Sequence, residues 1–161
     1  MKQYISKEVD RLIKLYNTRN PYEIAEAQGI EVLYHSLGED MEGFICSCEE
    51  GLAIVINSNI SKVQEPVVLG HEIGHGYLHN SKADFIRGKN RFSKEKVLEY
   101  EANLFALELL GDEGFFRNFE GRTFKEMAAV TGLPEEMLER KYEEVLKAYK
   151  KIGKANEEAL A

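Results

Sequence analysis

His71-Glu72-Ile73-Gly74-His75 is the stretch on which the reading of this 161-residue chain turns. On a helix, two histidines four positions apart share one face, about 40° from each other on the wheel. Their imidazoles can grip a single cation, and Glu72 then sits beside the open position where a water would be held. Pro66 suits the first turn of a helix, so one is expected from about Pro66 to Leu78. Val67, Gly74 and Leu78 fall near the ligand face, which makes its surroundings apolar. Gly70, Gly74 and Gly76 would each cost about 1 kcal/mol in a helix interior relative to alanine. Three so close together imply that another backbone, or a substrate, approaches closely.

A catalytic zinc needs three protein ligands and a vacant position. A second helix is expected from about Lys94 to Leu110, behind Ser93 as N-cap. Glu99 shares a stripe with Ala102, Asn103, Ala106 and Leu110, a face small and apolar enough to pack on the first helix. A carboxylate there needs a partner, and a metal is a good one. Glu101 instead shares its stripe with Leu104, Phe105 and Glu108, which is half charged. Glu99 is therefore the expected third ligand, with Glu101 as the alternative. His79 continues the histidine series, but three histidines on consecutive turns of a straight helix close poorly round one ion. Interaction with the last helix carbonyls suits His79 better. Asn103, one turn after Glu99, is placed to orient a ligand imidazole. Tyr77, His79 and Tyr100 are candidate donors to an oxyanion.

At these residues the chain resembles the ImmA/IrrE family of metallopeptidases. That family carries a His-Glu-x-Gly-His helix ending in Leu-His, matched by His71 to His75 and by Leu78-His79. A Glu-x-x-Ala-Asn-x-Phe-Ala helix follows, matched from Glu99 through Ala102, Asn103, Phe105 and Ala106. Upstream, Asn20-Pro21-Tyr22-Glu23-Ile24-Ala25 is similar to the family's early helix start. Gly29-Ile30-Glu31-Val32 and Ile54-Val55-Ile56-Asn57 resemble its strands. The likeness spans about residues 5 to 110. It departs after the second helix, where the family often continues Leu-Leu-Met-Pro and this chain has Leu109-Leu110-Gly111-Asp112. The resemblance implies a cytoplasmic, gluzincin-like peptidase whose target is a repressor of a phage, a mobile element or a stress response.

Composition bounds the alternatives. A net charge of −7 argues against nucleic acid as the main ligand, since phosphate binding needs a basic face. No stretch has the apolar length of a membrane span, and Met1-Lys2-Gln3-Tyr4 lacks the hydrophobic region of a signal peptide. Cys46 and Cys48 read as reduced, buried or half-buried thiols, in keeping with the cytosol.

The rest of the chain fills out an α+β, zincin-like layout. Val9 to Tyr16 and Pro21 to Gln28 read as helices, the second closed by Gly29. Ile30 to His35, Gly43 to Cys48 and Leu52 to Asn57 read as strands of a three-stranded antiparallel sheet, with Cys48-Glu49-Glu50-Gly51 as a hairpin turn. Gly43 to Cys48 is the candidate edge for pairing with an extended substrate. Lys82, Arg87, Lys89 and Arg91, against one acid at Asp84, could select an acidic segment, although a solvated loop is the plainer reading. Thr123 to Val130 and Pro134 to Lys151 form a helical hairpin whose acidic leading turn suits packing better than DNA, with a frayed tail beyond Gly153. Residues 1–122 are thus expected to carry the peptidase domain, with 123–161 packed on it. The function expected is Zn²⁺-dependent cleavage of a protein, with a transcriptional repressor as substrate and neither nucleic acid nor membrane as partner. The alternative is a metal-containing protein that holds a repressor without cutting it.

Overall fold

Ala53, Ile54, Val55 and Ile56 follow one another without a polar residue, and all four are buried. Such a run belongs to a strand covered on both faces and flanked on both edges. The computed structural model, which describes residues 1–49, 51–79 and 91–160, places it at the centre of a three-stranded sheet. β1 (Glu31–His35) and β2 (Gly43–Cys48) lie on either side of β3 (Gly51–Asn57). β2 pairs antiparallel with β3, Cys48 opposite Gly51, but β1 pairs parallel with it, Glu31 opposite Ala53. The sheet is therefore mixed, not the antiparallel one expected. The cause is the link from His35 to Gly43, which carries the chain to the far edge, so that the β2–β3 hairpin returns β3 beside β1. Buried Asn57 pins this link: its side-chain NH₂ donates to the carbonyls of Gly38 (2.8 Å) and Met41 (2.7 Å), and its Oδ1 accepts from the amide of Leu37 (3.3 Å).

Helices cover the sheet. α1 (Lys2–Tyr16) starts earlier than expected because its apolar stripe does: Ile5, Val9 and Leu12 are each 1 % exposed. Each such side chain contributes about 1.5–3 kcal/mol by burial. α2 (Pro21–Ala27) has proline in its first turn and Asn20 as N-cap, accepting from the amide of Tyr22. α3 (Glu65–His79) carries the histidine motif. Buried Glu65 in its first turn accepts from Lys62 Nζ (2.7 Å) and the Tyr22 hydroxyl (3.3 Å), tying α3 to α2.

α4 (Arg91–Leu110) packs along α3. It begins before Ser93, which is inside the helix and not its cap. α5 (Glu113–Arg117) was not anticipated, although Asp112 caps it by accepting from the amide of Phe115 at 2.8 Å. α6 (Phe124–Thr131) and α7 (Glu135–Leu160) make the C-terminal hairpin. α7 runs past Gly153, since one glycine among good helix formers does not stop a helix. Phe116, Phe119, Met127, Leu133, Met137 and Leu138 form an apolar cluster with Val67 of α3 and Leu107 of α4. Lys141 of α7 and Ser6 of α1 both hydrogen-bond the buried Glu108 of α4. Glu50, the basic run 80–90, and the side chains of Cys48, Arg91 and Ser93 lie outside the described residues. No helix among the described residues is long and apolar enough to cross a membrane.

Candidate metal centre

The two helices that carry the candidate ligands, α3 and α4, approach closely where glycines line their seam. A Cβ on Gly70 would sit 3.5 Å from Ala106, and one on Gly74 would lie 3.0 Å from the Phe105 side chain. Gly76 faces the sheet, where a Cβ would meet Ile45 Cδ1 at 2.7 Å. Gly70 and Gly74 thus lie in the α3–α4 seam, where Gly74 is the one without room for a Cβ, and Gly76 serves the packing of β2. Across that seam His71, His75 and Glu99 converge. Nε2 of His71 and Nε2 of His75 are 3.0 Å apart, and each is 3.2 Å from a different oxygen of Glu99.

Two imidazole nitrogens and a carboxylate are a donor set that zinc favours. Tetrahedral ligands at about 2.0–2.2 Å from an ion stand roughly 3.3–3.6 Å from one another. The donors here are close to that spacing and lie within 4.8 Å as a group, so the residues fit a metal ion. Asn103 Oδ1 accepts from His71 Nδ1 at 2.8 Å, which turns the lone pair of Nε2 towards the group.

Glu72 is 7 % exposed at the floor of the same cleft. Burial raises its carboxyl above the ordinary range; the charges of His71 and His75 and a hydrogen bond from the backbone of Ile45 oppose this, and the charge of Glu99 reinforces it. Glu99 moves the other way, held far below the carboxylate range by hydrogen bonds from His71 and His75, against partial burial. For His71, burial pulls the imidazole down, but hydrogen bonding to Glu99 and the charges of Glu72 and Glu99 more than offset it. The cleft therefore sets two carboxylates around two imidazoles, a field that attracts a cation.

The alignment of residues 25–143 with the family model described as the IrrE N-terminal-like domain, a peptidase family, covers most of the chain. The chain belongs to the IrrE N-terminal-like peptidase family. It is 36 % identical over 136 residues to uncharacterized immunity region protein 2 of Bacillus phage phi105, covering 83 % of this chain and 85 % of the relative. It is 33 % identical over 107 residues to metallopeptidase ImmA of Bacillus subtilis, covering 66 % of this chain and 62 % of that protein. In this member of the IrrE-like family the remaining site candidates separate by position. His79 and Asn103 line the cleft with His71, Glu72, His75 and Glu99. Tyr77 and Tyr100 are not among its lining residues, and the Tyr77 hydroxyl reaches towards Glu8 on α1 at 3.5 Å. Glu101 does not join the group either; its carboxylate meets His79 Nε2 at 3.0 Å.

The cleft, roughly 980 Å³, is walled by β2, by residues 39–42 and by Thr131 and Gly132 from the turn between α6 and α7. Among the described residues β2 is an edge strand, and its residues from Gly43 to Ser47 line this space. Sequence reading missed Asn57, which secures the 39–42 wall, and the contribution of the C-terminal hairpin. A lone asparagine ending an apolar run was the only signal for the first. For the second there was none, because the contact joins segments far apart in the chain. Cys46, on β2, is a half-buried free thiol.

Proposed function

We propose that this chain is a zinc-dependent endopeptidase, with His71, His75 and Glu99 as metal ligands and Glu72 as the general base. The observation that carries this reading is the convergence of two Nε2 atoms and one carboxylate beside a buried glutamate. A zinc ion held there would supply Lewis acidity, lowering the pKa of a water and polarising the scissile carbonyl. Burial makes Glu72 a stronger base than an exposed glutamate. Glu72 takes the proton of the attacking water and hands it to the leaving amine as the C–N bond breaks. Asn103 fixes the ring of His71 so that Nε2 presents its lone pair. Edge strand β2 binds the substrate as an extended segment through main-chain hydrogen bonds.

The substrate proposed is a regulatory protein of a phage or mobile element, with a transcriptional repressor as first choice, acted on in the cytoplasm without nucleic acid or membrane as partner. The immunity-region name of the phage relative supports this choice. The test mixes zinc-loaded protein with a candidate repressor, with and without chelator, beside a Glu72→Gln form. Fragments that depend on zinc and vanish in Glu72→Gln, while that variant keeps its metal, support the peptidase. A loss of at least about 100-fold is expected for removing a general base. Continued cutting by Glu72→Gln removes the base assignment. A stable complex with no fragments favours a protein that holds its partner uncut.

A further inference from the structure

His79 stands one turn beyond His75 on α3, with its ring buried, and a polar ring in that position has to be hydrogen-bonded. α4 meets it with Glu101, which lies about 200° round the helix from Glu99. His79 Nε2 is 3.0 Å from Glu101 Oε2, and His79 Nδ1 is 3.2 Å from His75 Nδ1. The donors along this chain of contacts can be assigned in order. A carboxylate accepts, so His79 Nε2–H donates to Glu101. With His79 neutral its Nδ1 carries a lone pair, and the hydrogen between the two Nδ1 atoms then belongs to His75. An imidazole protonated at Nδ1 leaves Nε2 bare, and His75 Nε2 is the atom that faces His71 and Glu99.

We propose that Glu101 and His79 form a relay that positions His75, setting its tautomer and ring orientation for a metal ion. The proposal rests on the reading of His71, His75 and Glu99 as ligands. In this relay Glu101 acts through His79, and His79 acts through His75. The relay does for His75 what Asn103 does for His71, with the difference that it ends in a carboxylate. A carboxylate behind a ligand imidazole increases the basicity of the donor nitrogen as well as fixing its direction.

The test measures Zn²⁺ affinity of the full chain by competition with a chromophoric chelator. Compared with the wild type are His79→Leu, Glu101→Ala, Glu101→Gln and the double variant His79→Leu/Glu101→Ala. The two truncating single variants are each expected to weaken zinc binding about 10–100-fold. Glu101→Gln should lose less, since its amide oxygen still accepts from His79. The double variant should bind no more weakly than His79→Leu alone, because Glu101 acts only through His79. Wild-type affinity in both truncating variants, or losses that add in the double variant, overturns the relay and leaves the ligand set standing. A wild-type chain that does not bind zinc overturns the ligand set, and the relay with it. If His79→Leu fails to fold, the two Glu101 variants decide alone: affinity equal to wild type in both overturns the relay.

Discussion

Asn103 gives the cleanest measurement at the level of single side chains, because it touches the ring of one proposed ligand, His71, through one acceptor atom. Asn103→Ala is expected to weaken zinc binding about 10–100-fold, while Asn103→Asp, which keeps an acceptor, stays nearer the wild type. Competition titration reads both. The seam-facing side of α4 was legible from the sequence, since Ala102 and Ala106 are small, spaced for one face and fully buried. The partner of Glu101 was not, because His79 lies 22 residues away and the contact depends on how two helices cross. Asn57 escaped for a related reason. Its bonds go to a loop about twenty residues earlier, and its place at the end of an apolar run does not reveal those partners.

The element scale shows why glycine clusters are easy to notice in a sequence and harder to apportion. At Gly70 an added Cβ would make ordinary contacts, 3.5 Å to Ala106 and 3.7 Å to Leu110. Gly70→Ala should therefore keep most of the helix-propensity gain and stabilise the protein by up to about 1 kcal/mol. At Gly74 the same change presses three atoms of Phe105 at 3.0–3.1 Å. Crowding of that kind costs about 1–3 kcal/mol, so Gly74→Ala should destabilise despite the propensity gain. Chemical denaturation of the two variants gives the signs. In α6, Glu126 and Thr123 form a reciprocal cap, and the Thr123 amide and then its hydroxyl hold the Glu126 carboxyl below its ordinary range. Because the folded value is the lower one, the cap stabilises above the ordinary value of 4.5 and fades as pH falls through the folded value. The protection factors of amides at the start of α6, taken against the intrinsic exchange rate at each pH, should fall there in the wild type, and Glu126→Gln should abolish that fall. Strand positions were readable from composition. Strand order was not, because β1 and β2 carry no mark of which side of β3 each takes.

For the molecule as a whole, a ligand that binds only the folded state stabilises it by mass action, by about 2.7 kcal/mol at one hundred times Kd. Zinc should accordingly raise the melting temperature, and a chelator should reverse the rise. Removing residues 123–161 would strip Met127, Leu133, Met137 and Leu138 from the cluster around Leu107 and leave Glu108 without Lys141. We propose that the two stretches fold as one unit, and a chain ending at Arg122 is expected to lack a cooperative melting transition. Lys141→Met alone should cost about 3–5 kcal/mol, the usual penalty for leaving a buried charge unpaired. That β2, residues 39–42 and the turn at Thr131 and Gly132 wall a single cleft has one more outcome. Pairing with β2 takes an extended segment, so a polypeptide must leave its own fold before it can lie there. A target's rate of destruction would then track how often the cut stretch melts away from its neighbours. Anything that braces that stretch would protect the target without ever meeting the enzyme.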